Sequence, residues 1–427
     1  MRKYTFIYLL LALLLCGCEK EEFRFHPDPD DNTETPESGD AFEMRELHVE
    51  GRFLCNDKGE KINLHGFGQT YSPWFNEQGN GWGWGYNVNA CLNYNQKIIS
   101  NILYLAKWKV NWLRLHMDPH WSNDEALVKK WQDEHPGENY GENHIDAFSV
   151  KQFEEYLNSV FVPMAQYAID NKLYVVMRPP GVCPDNLKVG DAYQQYLLKV
   201  WKIVVNHKAL KNNPYVMFEL ANEPINMYDG SRDYTSWSDG SFQQCSQYFQ
   251  DIVDMIRAQG AKNILWVPGL GYQSQYAGYK KYPIKGDNIG YAVHCYPGWY
   301  KSDCETGSWE LGGGHGDYNT FKEGWTNQVM PVATIAPILV TEMDWAPEKY
   351  NKSWGKATTG VAGGKGFGAN FMRIMDETEN VSWMLFTGPE LLAKYDDSKP
   401  DGGDFLTDPE ACVRPIYRRF QEYANKK

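Results

Sequence analysis

The sequence predicts an α/β fold, a (β/α)8 TIM barrel preceded by a small N-terminal β-hairpin. The first observation is a set of eight short apolar runs, at 62–68, 112–117, 173–178, 215–220, 264–267, 290–296, 338–342 and 382–387. The second is helical periodicity between most of these runs, at 153–170, 193–206, 248–258 and 367–377, and again at 416–423. Strands that alternate with helices indicate a parallel sheet, and a chain of 427 residues would hold one such barrel with insertions. The segments 47–51 and 56–60 predict the hairpin in front of it.

The N-terminal region is predicted to be an export signal followed by a tether. Arg2 and Lys3 precede an apolar run at 6–15 that is too short to span a bilayer. The sequence Leu-Cys-Gly-Cys at 15–18 resembles a bacterial lipoprotein signal, which implies a signal peptide at 1–17 and a lipid on Cys18. The alternative is ordinary cleavage that releases a free secreted protein. Residues 18–41 are too polar to form a core and predict a flexible tether, which leaves 42–427 for the barrel domain.

Charge limits the partners of the chain. A net charge of -13 argues against nucleic acid and against an anionic membrane surface, so membrane contact is expected through the lipid anchor alone. We expect a monomeric outer-membrane lipoprotein, and the acidic residues that follow Cys18 favour display on the cell surface.

The cysteines do not predict a metal site. None of the nine belongs to a repeated CxxC spacing, which excludes a zinc site and a dense disulfide framework of the usual kinds. Two expectations stay open for Cys295 and Cys304: one disulfide across a loop, or buried free thiols. No metal and no cofactor is expected.

Two glutamates follow apolar strands. The run 215–220 leads to Asn222-Glu223-Pro224, and the run 338–342 ends at Glu342. A carboxylate at the end of a buried strand costs desolvation, so it is rarely there for stability. In a (β/α)8 barrel both groups would lie at the carboxyl ends of the strands, where active sites are found. Two carboxylates in that place indicate acid/base and nucleophile work on a glycosidic bond.

The polar residues at the predicted strand ends, taken in order, resemble those of glycoside hydrolase family 5. The matching residues are Arg114 within 112–115, Asn222 and Glu223 before Pro224, His294 and Tyr296, Glu342 after Thr341, and Trp383. The resemblance covers the chain from about residue 47 onward. It implies that Glu223 is the general acid/base and Glu342 the nucleophile. It also implies that Arg114 holds the nucleophile, that Asn222 contacts the sugar 2-hydroxyl, and that Trp383 floors the cleavage subsite.

The sequence departs from this pattern at two strands. The third run continues as 175–181 without the histidine that family members usually have there, and Gly68 stands where asparagine is common. His116 or Arg178 is expected to take over a subsite contact.

Aromatic residues make up 15% of the chain, and two of them are candidates for stacking on sugar rings. Trp74 lies in an aromatic loop with many glycines after the first strand. The alternative is that this loop folds down as a small core of its own. Trp345 lies three residues after Glu342.

These residues predict retaining hydrolysis of a β-linked polysaccharide or oligosaccharide by double displacement. A β-glucan is the first expectation, and mannan, xylan and xyloglucan are the alternatives within the same clan. A different class, a surface lipoprotein that binds glycans without cleaving them, would have lost one of the two glutamates.

Overall fold

Eight parallel strands close into a barrel in the computed structural model, which describes residues 43–70, 87–303, 316–343, 367–386, 388–399 and 413–424. The barrel order is β3, β4, β5, β7, β10, β11, β12 and β13, which returns to β3. Numbered in chain order, the strands are β1 (Leu47–Glu50), β2 (Phe53–Asn56), β3 (His65–Thr70), β4 (Trp112–His116), β5 (Tyr174–Arg178), β6 (Asn186–Leu187), β7 (Val216–Glu219), β8 (Asn226–Tyr228), β9 (Tyr234–Thr235), β10 (Leu265–Pro268), β11 (Ile289–His294), β12 (Ile338–Glu342) and β13 (Val381–Leu385). Each of the eight predicted runs overlaps one barrel strand, which confirms the fold.

Helices connect the barrel strands and cover the outside of the sheet. They are α1 (Val88–Ser100), α2 (Glu125–Glu134), α3 (Val150–Tyr156), α4 (Val162–Asp170), α5 (Ala192–Val204), α6 (Asp239–Ala258), α7 (Leu270–Gln273), α8 (Tyr318–Gln328), α9 (Met330–Ala333), α10 (Phe367–Thr378), α11 (Pro389–Lys394) and α12 (Val413–Ala424). Side-chain caps fix several of the starts; Asp191 accepts from the backbone N–H of Gln194 at α5, for example. None of the helices in the described ranges has both the length and the apolar character needed to cross a membrane.

The strands are buried on both faces because the barrel has two cores. Along β4, Trp112 points into the barrel interior, whereas Leu113 and Leu115 pack outward against the helices. The interior is filled by large side chains, and glycines on neighbouring strands make room for them. A Cβ on Gly290, for instance, would lie 2.2 Å from the Trp266 ring. This two-sided burial explains why the strands read as continuous apolar runs.

The N-terminal hairpin closes one end of the barrel interior. β1 and β2 pair antiparallel, and Leu47 and Leu54 join the same cluster of buried side chains as Leu64 and Trp112. The hairpin is confirmed, but its second arm is Phe53–Asn56 rather than 56–60. Residues 56–60 form a turn instead, in which the Gly59 N–H donates to the Asn56 carbonyl.

A second small sheet lies at the opposite end of the barrel. It has the order β6, β8, β9, and its strands lie in the connections after β5 and β7. Sequence periodicity did not predict it because its strands are only two or three residues long.

The thiols of the described residues are buried and free. These are Cys55, Cys91, Cys183, Cys245 and Cys295. Cys295 therefore agrees with the free-thiol expectation, and Cys304 lies outside the described residues.

Candidate active site

The polar side chains at the carboxyl ends of the barrel strands meet around Arg114. The Arg114 guanidinium is 2% exposed and donates to Glu219 through Nε at 2.7 Å and through Nη2 at 3.0 Å. It also donates to Glu342 Oε1 at 2.6 Å and to Asn222 Oδ1 at 2.7 Å. Burial alone would lower the pKa of Arg114, but the carboxylates of Glu219 and Glu342 raise it. Arg114 is thus a fixed positive charge that orients three partners.

Glu342 is held as an ionised carboxylate. Burial by itself would raise its pKa, but electrostatic interactions with His294 and Arg114 and a hydrogen bond from the Tyr296 hydroxyl lower it to about 2. That hydroxyl donates to Glu342 Oε2 at 2.6 Å, and His294 Nδ1 lies 3.5 Å from the same oxygen. The group carries its negative charge at any ordinary pH.

Glu223 lies beside Glu342 in different surroundings. Its side chain is 26% exposed, and Oε1 lies 3.1 Å from His294 Nδ1. One carboxylate oxygen of Glu223, one of Glu342 and a ring nitrogen of His294 all lie within 4.8 Å of one another. Glu223 also has a left-handed backbone, with φ 55°, which is rare for a residue with a side chain. Strain of this kind persists where the surroundings impose it.

The surroundings that impose it are a segment after β10. Gly271, Tyr272 and Gln273 are all left-handed, with φ of 58°, 58° and 61°. Gln273 is fully buried, and its Oε1 accepts the backbone N–H of Glu223 at 2.8 Å while its Nε2 donates to Glu219 at 3.1 Å. The Tyr272 N–H donates to the Pro224 carbonyl at 2.9 Å. Gln273 therefore positions Glu223 relative to the carboxylate that holds Arg114.

Sequence reasoning missed both Glu219 and Gln273. Glu219 is fully buried, accepts from Thr341 Oγ1 at 2.8 Å as well as from Arg114, and has a pKa that these partners lower despite its burial. A signal for Glu219 existed, because it ends an apolar strand as Glu342 does. Gln273 had no signal, because α7, which contains it, has only four residues and a largely left-handed backbone.

The structure corrects the expectation for Trp383. Its ring is 1% exposed and packs edge-on against Phe371 of α10 and near Phe420 of α12, on the outer face of β13. Trp383 thus belongs to the outer core and does not floor the site. The aromatic side chain directly after β13 on the inner side of the barrel is Phe386, which is partly buried against the barrel interior. Gly68 faces it, since a Cβ there would lie 2.8 Å from Met384 and 3.1 Å from Phe386.

The remaining predicted residues divide into two groups. His116 and Arg178 are buried at the ends of β4 and β5, where they are partners in register, so the structure brings them to the same face as Arg114. Trp74, Trp345 and Cys18 lie outside the described residues.

A (β/α)8 barrel with an ionised, buried glutamate beside a second, partly exposed glutamate is the arrangement of a glycoside hydrolase. Comparison with known proteins agrees. The family model described as cellulase (glycosyl hydrolase family 5) matches residues 55–387, and the chain belongs to that family.

Among curated proteins, the chain is 25% identical over 304 residues to an endoglucanase of Halalkalibacter akibai, covering 69% of this chain and 31% of the relative. It is 27% identical over 133 residues to an endoglucanase of a Bacillus species, covering 31% of this chain and 14% of the relative. The chain thus spans less than a third of the length of either relative.

Solved structures share the fold. A beta-glucanase from Saccharophagus degradans, solved in its native form, has a TM-score of 0.54 at 16% identity and covers 90% of this chain and 95% of its own. The same enzyme was solved in complex with cellotetraose. A family 5 cellulase from an Icelandic hot spring isolate has a TM-score of 0.51 at 16% identity, with 89% and 96% covered.

Proposed function

We propose that the protein hydrolyses β-linked glucans with retention of configuration, with Glu342 as nucleophile and Glu223 as general acid/base. The observation that carries the proposal is the approach of the two carboxylates to within 4.8 Å. Retaining glycosidases hold their carboxyl groups about 5–5.5 Å apart, whereas inverting enzymes leave about 6.5–9.5 Å for a water molecule.

The first step is attack on the anomeric carbon. Ionised Glu342, oriented by Arg114 and Tyr296, forms the glycosyl-enzyme while protonated Glu223 gives its proton to the departing oxygen. In the second step Glu223, now a carboxylate, removes a proton from water. That water cleaves the ester to Glu342, which returns both groups to their starting states. Asn222, fixed through its contact with Arg114, is suited to hold the sugar 2-hydroxyl.

An exposed aromatic side chain beside Glu223 supports a polysaccharide substrate. The left-handed segment holds Tyr272 there, and 46% of its side chain is exposed. Flat apolar rings stack on the CH faces of pyranoses. Tyr272 would therefore receive the leaving sugar as Glu223 protonates it.

A β-glucan is the preferred substrate within this proposal. It is supported by the names of the two curated relatives, both endoglucanases, and by the cellotetraose complex of a protein with the same fold. Mannan, xylan and xyloglucan remain alternatives.

A reducing-sugar assay over purified β-glucan, mannan, xylan and xyloglucan tests this function. We expect release from β-glucan by the wild-type chain and none by Glu342→Gln, which keeps the shape of the side chain without its charge. Preferred release from another glycan would overturn the substrate and leave the reaction class in place. No release from any of them by the wild-type chain would overturn the enzyme proposal itself.

A further inference from the structure

A third carboxyl group reaches the active site from outside the barrel strands. Glu142 belongs to the irregular segment between α2 and α3, and it lies at the ends of β4 and β5. The Glu142 carbonyl accepts the Val182 N–H at 3.2 Å. Gly181, with φ 80°, allows the approach, since a Cβ there would lie 2.2 Å from the Glu142 carbonyl oxygen. These backbone contacts hold Glu142 at the ends of β4 and β5.

The Glu142 carboxylate faces two buried groups from beyond hydrogen-bond distance. Its Oε2 lies 3.8 Å from His116 Nε2 and 3.8 Å from Arg178 Nη2. His116 is 2% exposed, and within the described residues neither of its ring nitrogens has a hydrogen-bond partner. A buried polar group without a partner costs free energy, so a ligand that supplied one would be bound favourably.

The charges around the three groups favour a neutral ligand. Burial, with the charges of Arg178 and Arg114, holds the pKa of His116 well below its usual range, so its ring is neutral, with one donor and one acceptor. Arg178 donates to the Gly181 carbonyl at 3.0 Å and has further N–H groups to offer. Carboxyl groups nearby would repel an anion. A sugar hydroxyl both donates and accepts, as this mixture of groups requires.

We propose that Glu142, His116 and Arg178 form a polar subsite that binds hydroxyl groups of the sugar unit attacked by Glu342, with Glu142 as the acceptor that determines affinity. This inference rests on the proposed function. Its placement at Glu342 follows from two observations. Arg178 is among the charges that keep Glu342 ionised, and His116 lies two residues beyond Arg114 on β4, hence on the same strand face. The side chain of Glu142 is 33% exposed, so the subsite is open to a ligand.

Three variants test the subsite: Glu142→Ala, Glu142→Gln and, as control, Glu138→Gln, which removes the same charge from an exposed position of the same segment. KM and kcat are measured with 4-nitrophenyl β-cellobioside, and the inhibition constant is measured with cellobiose. A hydrogen bond to a charged group is worth about 10- to 100-fold in affinity. We therefore expect KM and the inhibition constant to rise about 10- to 100-fold in Glu142→Ala. The rise should be smaller in Glu142→Gln, which keeps a carbonyl acceptor, and Glu138→Gln should match the wild type.

The outcomes separate the two proposals. If the wild-type chain is active and both Glu142 variants match it in KM and inhibition constant, the subsite is overturned and the proposed function stands. If Glu142→Ala loses kcat and melts earlier while Glu142→Gln behaves as wild type in every constant, Glu142 only supports the fold and the subsite is again overturned. If the wild-type chain cleaves neither the aryl glycoside nor any glycan, the proposed function fails, and the subsite fails with it.

Discussion

Two glutamates that lie a few ångströms apart have different chemical surroundings. Glu342 is enclosed by Arg114, Tyr296 and His294, which favour its ionised form. Glu223 is partly open to solvent and contacts His294 alone among these groups. The difference supports the proposal that Glu342 is the nucleophile and Glu223 the proton donor, because glycosidases give their two carboxyl groups different surroundings.

The role of Glu223 can be tested by comparing substrates with poor and good leaving groups. Glu223→Ala should lower polysaccharide hydrolysis by at least about 10²- to 10⁴-fold, because the poor leaving group needs protonation. It should still form the glycosyl-enzyme from an activated aryl glycoside, and added azide should speed release of the trapped sugar. Glu342→Ala should fail on both substrates. Equal loss on both substrates in Glu223→Ala, without an azide effect, would show that the acid/base is a different group.

Glu142 predicts a dependence of binding on pH. Burial, together with the charges of Asp118 and Glu342 and despite Arg178, raises its pKa to about 7. The carboxyl is therefore mostly protonated at pH 6 and mostly ionised at pH 8. Ionised acceptors make the stronger hydrogen bonds. KM for an aryl β-cellobioside should fall by up to about 10-fold from pH 6 to pH 8. The fall should vanish in Glu142→Gln and persist in Glu138→Gln; a KM that rises with pH in the wild type would contradict this role.

At the scale of elements, strands were predictable and connections were not. Barrel strands appear in the sequence because burial on both faces leaves an apolar run, and the carboxyl ends of such runs located Arg114, Asn222, Glu223 and Glu342. Gln273 and the β6–β8–β9 sheet lie in connections, whose shape depends on contacts far along the chain. Glu142 is likewise placed by Gly181, 39 residues later in the numbering.

The prediction for Trp383 was wrong because the sequence does not show which face of β13 each side chain points to. Successive side chains alternate between faces, so Trp383 and Leu385 point outward, whereas Met384 packs in the barrel interior. The next side chain on the same face as Met384 is that of Phe386. Ser382 is the one polar residue of β13, and a single polar residue in an otherwise apolar strand gives too little alternation for the phase of the strand to be determined.

The position of Trp383 in the outer core predicts different effects for alanine substitutions at Trp383 and Phe386. Trp383→Ala removes a fully buried ring from the outer core and should lower the free energy of unfolding by about 3–5 kcal/mol, measured by urea unfolding. Phe386→Ala removes a partly buried ring at the inner face and should reduce kcat/KM on β-glucan with a smaller loss of stability. The reverse pattern, with kcat/KM lost in Trp383→Ala at full stability, would return Trp383 to the site.

The whole molecule combines a barrel enzyme with an N-terminal region that predicts a lipid anchor. Cys18→Ala should move the protein from the membrane fraction to the soluble fraction, as measured by fractionation of the expressing cells and detection with an antibody. Cys16→Ala is the matched control, because Cys16 would be lost with the signal peptide, and it should stay with the membrane. Membrane retention of Cys18→Ala would contradict the lipidation.

The central claim, a covalent intermediate on Glu342, is tested most directly by trapping it. A 2-deoxy-2-fluoro aryl β-cellobioside slows both steps, but its good leaving group lets the first proceed, so the fluorosugar should accumulate on the enzyme. Mass spectrometry of the proteolysed enzyme should then find one added fluorocellobiosyl group on the peptide that contains Glu342. A label on a different carboxylate, or turnover without any label to a product of inverted configuration, would contradict the account.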